Sequence, residues 1–497
     1  MDRRQFLQSG VFAAGGATAF PLLATATAGA QASGESPYGS LEGIAPDANG
    51  MILPPGFTSR VVAVAGEPVG DTDFEWHIFP DGAATFDDGN GGWIHTVNSE
   101  VFKAGAAGVS AIHYDADGNI IDAYPLLRNS NSNCGGGPTP WGTFLSGEEV
   151  FASGGYLWEC DPTGATEPKA HAAMGIFVHE AAAVDPVREH VYQTEDMPDG
   201  RLYRYTPDNY PDLSSGLLEV AAVDGNGSVS WIEVPDPSGA ETPPRHQVPE
   251  STAFLGGEGI WYFDDWIFFA TKFDNKIHGI DVANSVHTLL YDPNPDDVAA
   301  GTAVLSGVDN LTVDAGTGDI FVAEDGGNME LVIITPDGVV APFARLVDQD
   351  NSEITGPVFN PRRDRLYFSS QRAPSPRTIG EINPMVVTED RFGGRTYEVS
   401  GPFRGIVEEV VEEPEVTTTT AAAAAPTTTE APATTQAPSS TAAPTTTVPS
   451  PTSTIAQISE ESGGDGGSGT GIAIGIGAAA AIAVGAGVVG LRRRAKS

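Results

Sequence analysis

The sequence predicts an all-β protein: a six-bladed β-propeller with a disordered stalk and a C-terminal transmembrane helix. Three observations predict it. Short apolar or aromatic runs alternate with Asp-Gly, Asn-Gly and Pro-Asp turns, and no long stretch has helical periodicity. A strand ending in a short polar-acidic cluster recurs six times, at 97–100 (VNSE), 145–149 (LSGEE), 193–196 (QTED), 270–274 (ATKFD), 322–325 (VAED) and 368–371 (FSSQ). Their first residues lie 48, 48, 77, 52 and 46 apart. A four-stranded blade takes about 40–50 residues, so the one longer gap has room for an insertion.

The chain opens with Arg3-Arg4-Gln5-Phe6-Leu7, then an apolar, Ala/Gly-rich run with small-residue cleavage options at 28–30 and 30–32. Residues 1–32 therefore read as a Tat-type export signal. The propeller is expected over 37–405. Residues 414–470 are rich in Thr, Pro and Ala and then in Gly and Ser, a composition that cannot bury a core and reads as an extended stalk. Residues 471–491 carry no charge and are followed by Arg492-Arg493-Arg494-Ala495-Lys496. At helical rise that stretch spans roughly 30 Å, one bilayer core, and the basic tail at 492–497 belongs on the cytoplasmic side. The expectation is an exported monomer displayed at the cell surface on a single-pass C-terminal anchor.

The charge is localised. The chain carries 66 acids against 25 bases, and 61 of those acids with 19 of the bases fall between residues 33 and 416. Such a surface repels nucleic acid, so no nucleic-acid partner is expected, and it attracts divalent cations. Only two cysteines are present, which excludes a disulfide-stapled miniprotein.

Reading 15 to 19 residues back from the end of each cluster reaches Asp81, Cys134, Glu180, Glu258, Asp309 and Glu353. In a propeller these would open the innermost strands and face one another across the central channel. Carboxylates that close together take up protons rather than all ionise, unless cations hold them. Hard oxygen donors favour Ca²⁺ or Mg²⁺, and a thiolate favours iron or zinc.

The most distinctive stretch, 133–149, reads NCGGGPTPWGTFLSGEE. It resembles the signature of the PhoX-type alkaline phosphatases, and the resemblance continues in the same order through His179-Glu180-Ala181-Ala182-Ala183, Thr194-Glu195-Asp196, Gly257-Glu258-Gly259 and Ser352-Glu353-Ile354-Thr355-Gly356-Pro357. It implies a six-bladed propeller whose channel mouth holds Ca²⁺ and Fe³⁺ and hydrolyses small phosphate esters outside the cytoplasm. It implies Cys134 as an iron ligand and Glu180, Glu258, Asp309 and Glu353 as carboxylate ligands, these five being the catalytic set. Glu100, Glu148, Glu149, Glu195 and Asp196 are further candidate metal ligands. Held metals would neutralise charge in the transition state, so no serine nucleophile is required.

One departure stands out. The family's Arg before the blade-five acid is missing, because 305–309 reads LSGVD; Arg372 and Arg188 are the substitutes in view. Two other readings therefore stay open: a lactonase-like propeller hydrolase using Ca²⁺ alone, and a non-catalytic cell-surface propeller.

Simpler roles are expected elsewhere. Cys134 and Cys160 could pair as a disulfide in an exported protein, but the place of Cys134 in the signature leaves Cys160 as a buried thiol. Alternation along a strand turns His179 away from Glu180, making it a supporting or core histidine. Gly135-Gly136-Gly137 reads as a close backbone approach rather than a phosphate loop, since no helix or Lys follows. Residues 115–119 and 314–319 have calcium-loop composition and read as hairpin turns.

Overall fold

The structure is a computed structural model that describes residues 34–405. The export signal at 1–32, the stalk at 414–470, the membrane anchor at 471–491 and the basic tail at 492–497 lie outside the described residues. No helix among the described residues is long and apolar enough to cross a membrane.

Six antiparallel sheets follow one another along the chain. Blade one comprises Pro80–Asp87, Trp93–Ser99, Ala107–Tyr114 and Ile120–Ser130. Blade two comprises Asn133–Pro138, Phe144–Glu148, Leu157–Cys160 and Lys169–Ala170. Blade three runs His179–Asp185, His190–Glu195, Leu202–Asn209, Asp212–Val223 and Val229–Glu233. Its fifth strand and the loop after it account for the long gap in the repeat. Blade four is Gly257–Phe263, Trp266–Thr271, Lys276–Asp281 and Val286–Tyr291.

The last two blades are completed by the beginning of the domain. Met51–Ile52 pairs onto Val340–Leu346 at the edge of blade five, outside Glu330–Ile334, Ile320–Glu324 and the inner strand Val308–Val313. Thr58–Val64 pairs with Arg395–Ser400 in blade six, outside Arg365–Ser370 and the inner strand Ile354–Phe359. Closing a sheet ring with both chain ends removes a free seam. Here the seam is also tied by charge, since Glu398 accepts hydrogen bonds from Arg60 and Arg365 at 2.6 Å each and from the Tyr367 hydroxyl at 2.7 Å.

The inner strands of consecutive blades touch in a closed circle, blade six returning to blade one. Each blade is therefore buried on both faces, which explains middle strands such as Trp266–Thr271 that are apolar without alternation. The core is divided among the blade interfaces. Phe321, Phe343, Phe359 and Phe368 fill the gap between blades five and six, and Leu145, Val184, Tyr203 and Leu218 the gap between two and three. Truncating one such phenyl ring, as in Phe321→Ala, costs about 3–5 kcal/mol.

The expected close approach in the signature is present. A Cβ on Gly137 would lie 2.0 Å from the Ala182 carbonyl oxygen, so only glycine lets the inner strands of blades two and three come together there.

Candidate metal centre at the channel mouth

A repeated backbone irregularity places the candidate ligands. In blade one Pro80 pairs with Ser99 but Ala83 pairs with Val97, so Asp81 and Gly82 together face only Asn98. This is a one-residue β-bulge, which re-aims a side chain out of the pleat. The same bulge recurs at Cys134-Gly135, Glu180-Ala181, Glu258-Gly259 and Asp309-Asn310. The first residue of each bulge carries a ligand-type side chain. The second is small or polar, and Gly82, Gly135, Ala181, Gly259 and Asn310 line one narrow cavity between the inner strands.

Blade six departs from the expected ring. Its bulge lies at Gly356-Pro357, so the position equivalent to Asp81 is Gly356 and not Glu353. The spacing of 15 to 19 residues was loose enough to permit the three-residue offset. Glu353 instead precedes the strand and bridges to Asp325. It still reaches the mouth, because a carboxylate oxygen of Asp309, Asp325 and Glu353 can all lie within 4.8 Å of one another. Two more such groups are Asp81, Glu100 and Cys134, and Glu180, Glu258 and Asp309.

Glu149 and Asp196 lie beside these groups. Both are buried, and Glu149 Oε2 and Asp196 Oδ1 have no hydrogen-bond partner. Glu148 and Glu195 do not join the mouth. Glu148 accepts hydrogen bonds from the Asn131 and Tyr156 backbone N–H groups and from Asn131 Nδ2. Glu195 accepts from the Arg201 backbone, the Tyr203 hydroxyl and Arg245. Strand alternation turns neighbouring residues to opposite sides, and in each acidic pair the mouth takes the second member.

Residues outside the expected ligand set complete the mouth. Asp81 had a place in the repeat ring, and Asp325 stands where blades two and three have Glu149 and Asp196, so the repeat itself held the signal for both. Gln371 Nε2 donates to Asp81 Oδ2 and Glu100 Oε2 at 2.7 Å each. Lys272 Nζ lies 2.6 Å from both Asp196 Oδ2 and Glu258 Oε1. Arg372 pairs with Glu353 at 3.2 Å and is 39% exposed. Arg188 is held elsewhere, by Asp185 and Asp265 at the opposite end of the blade-three inner strand.

The electrostatics are those of crowded acids. Burial, reinforced by Glu100, pushes Asp81 up to about 7. Burial pushes Glu258 up to about 8, with Lys272 opposing and Asp196 adding to the rise. Glu180, Asp309 and Glu353 are raised well above the carboxylate range, first by burial and then by acidic neighbours, Glu258 for the first two and Asp325 for Glu353, which Arg372 opposes. Cys134 is likewise held as a thiol by burial and by Asp81 and Glu100, with Sγ 3.8 Å from Asp81 Oδ2. Both oxygens of Glu180 and Oδ1 of Asp81 are buried without a hydrogen-bond partner. Unpartnered buried carboxylate oxygens are costly, and cations coordinated at this spot would remove that cost. Hard-oxygen groups with one thiol fit that role.

The remaining expectations divide simply. Cys134 and Cys160 are both free thiols, and Cys160 packs in the apolar layer with Phe144 and Val109. His179 is buried against Phe177, with Nε2 on the Gly175 carbonyl, and is a core residue. Asp115 and Asp314 each accept backbone N–H groups within their own turns.

Residues 95–285 match the family model described as Alkaline phosphatase PhoX. No curated protein matches the chain. Among solved structures, PhoX of Pseudomonas fluorescens in complex with vanadate, a transition state analogue, is similar over 72% of this chain and 98% of that one, at 16% identity and a TM-score of 0.58. The gluconolactonase XC5397 of Xanthomonas campestris is similar over 70% of this chain and 95% of its own, at 11% identity and a TM-score of 0.39. The first likeness speaks for the fold, and the second is too low to carry an argument. The matched segment contains Cys134, Glu180 and Glu258, with their bulges and the signature around Cys134, and over that segment this propeller is similar to the PhoX alkaline phosphatases.

Proposed function

We propose that the protein is an extracytoplasmic, metal-dependent phosphomonoesterase that acts on small phosphate esters through calcium and iron held at the channel mouth. The observation that carries this reading is the convergence of Asp81, Glu100, Cys134, Glu180, Glu258, Asp309, Asp325 and Glu353 at one mouth, several with buried oxygens that no donor satisfies. Cys134 with Asp81 and Glu100 is the set suited to iron, and the all-carboxylate sets around Asp309 are suited to calcium. Bound there, the ions would supply Lewis acidity and neutralise the charge that develops on the phosphoryl group.

The protein's own groups do the rest. Arg372 lies beside Glu353, Asp325 and Glu100 with its guanidinium partly exposed, and can grip phosphoryl oxygens in the fork geometry that suits them. It takes the part of the Arg missing before Asp309. Gln371 fixes Asp81 and Glu100 in one orientation. Phe102 and Phe151 follow Glu100 and Glu149 by two residues, are 66% and 53% exposed, and stack at 6.3 Å. They offer apolar surface to the organic half of an ester.

Export through the signal at 1–32 and tethering through 471–491 would put this chemistry at the cell surface. The domain is read as a monomer that binds no nucleic acid. The test is elemental analysis of the folded protein together with p-nitrophenyl phosphate turnover. Iron plus calcium, with turnover abolished in Cys134→Ala, is the expected result. Calcium alone would indicate the lactonase reading, and protein purified without any metal would overturn both.

A further inference from the structure

In blades one, two, three and five, the residue just beyond the end of the second strand is Glu100, Glu149, Asp196 or Asp325. In blade four that position is Lys272. In blade six it is Gln371, so the ring carries an acid in four blades, an amide in blade six and an ammonium in blade four alone. The replacement is not turned out to solvent. Lys272 Nζ reaches 2.6 Å to Asp196 on blade three and 2.6 Å to Glu258 on its own blade, linking the outer ring to the inner one. Asp196 belongs to none of the three groups of ligand atoms, among the described residues, close enough to hold a metal ion.

An ammonium has three donors and no acceptor, so between two carboxylates it does what a bridging cation does without demanding a coordination number. We infer that Lys272 is a built-in cation of the cluster. It occupies the place on blade four that an exchangeable metal ion would otherwise take between Asp196 and Glu258, and so lowers the number of ions this mouth binds. The inference rests on the metal-cluster reading above and adds to it a residue that sets the cluster's stoichiometry. Because Glu258 also belongs with Glu180 and Asp309, the Lys272 contact ties that group to the outer ring.

The test counts ions rather than turnover. The full chain is stripped with chelator, dialysed against calcium chloride, and its calcium per chain is measured for the parent, Lys272→Arg, Lys272→Met and Lys272→Glu. Lys272→Glu restores the acid that four of the other blades carry and is expected to bind about one more calcium than the parent. Lys272→Met leaves Asp196 and Glu258 uncompensated and is expected to gain the same ion at lower affinity, whereas Lys272→Arg keeps the parent count. The Met variant also covers the case in which the Glu variant does not fold. Equal counts in all four proteins would overturn the inference and leave the cluster standing, as would a Met variant that changes only KM. A parent without calcium beside a Glu variant with one would sink the cluster reading and keep Lys272 in its role. No calcium in any of them would sink both.

Discussion

Glu148 and Glu149 are neighbours in blade two, both buried, and their surroundings are opposite. Every approach to Glu148 is taken by a donor: two backbone N–H groups and one side-chain amide. Glu149 has an oxygen with no partner and is pushed well above the carboxylate range by burial, with Glu100 and Asp196 adding to the rise. The pattern repeats in blade five, where Glu324 accepts from the Ser306 and Glu330 backbones while its neighbour Asp325 points to the mouth with Asp309 and Glu353. Burial alone therefore does not mark a metal ligand. A buried carboxylate whose donors are supplied by its own chain holds a turn together, and one left without donors is the better candidate for a cation.

Removing the cations should break the comparison most severely. Chelation is expected to lower phosphomonoester turnover by more than about 10³-fold, since metal stabilisation of transition-state charge is worth several kcal/mol. It should also give stability a distinctive pH dependence, read as melting temperature against pH. Asp81 and Glu258 have folded values near 7 and 8, raised above an ordinary carboxylate near 4. The native state then holds the extra protons, so the metal-free protein is most stable at low pH and loses stability as pH rises from about 4 to about 8. Restoring the ions should flatten that decline. A metal-free protein whose melting temperature is level over this window would refute the crowded-acid account.

Single substitutions separate the two kinds of carboxylate. Cys134→Ala is expected to lower turnover by about 10²-fold or more, with iron content falling in parallel, because even outer partners of metal ligands cost 10–100-fold. Glu148→Ala leaves three donors facing nothing and should destabilise the fold by about 3 kcal/mol, measured by denaturant unfolding, while metal content per folded chain stays unchanged. Glu149→Gln should do the reverse, lowering metal affinity without destabilising the metal-free protein. If the two variants gave the same pattern, the distinction between neighbours would collapse.

The blade count and the fold were legible because the repeat is written in strand ends and turn residues, which local chemistry controls. The placement of Cys134, Glu180, Glu258 and Asp309 at one mouth is legible for the same reason: each opens the bulge of its inner strand. Glu353 was assigned to the mouth through an inexact register, since a bulge shifts by a residue or more without leaving a mark in composition. Glu148 and Glu195 could not be separated from Glu149 and Asp196 by sequence. What divides them is which backbone N–H groups the neighbouring loops present, a three-dimensional matter. Lys272 is hidden within the cluster at 270–274, where Asp274 completes the acidic pattern in sequence, and its two partners come from different blades and appear only once the ring closes.

The mildest effects should fall on substrate recognition. Arg372→Met removes a fork that can hold phosphate while leaving the ion sets intact, and is expected to raise KM about tenfold for every ester, in line with a charge-assisted hydrogen bond of roughly 1.5–3 kcal/mol. Phe102→Ala should be weaker and selective. The ring is exposed and stacks on Phe151, so the effect should fall on the organic end of the ester, and an aromatic contact is worth only about 0.5–1.5 kcal/mol. That translates to a rise in KM of about two- to tenfold for p-nitrophenyl phosphate and none for glycerol phosphate, which has no ring to stack. Equal losses on both esters would show that Phe102 shapes the mouth as a whole, whereas the selective loss would assign the Phe102–Phe151 pair to the organic half of the substrate.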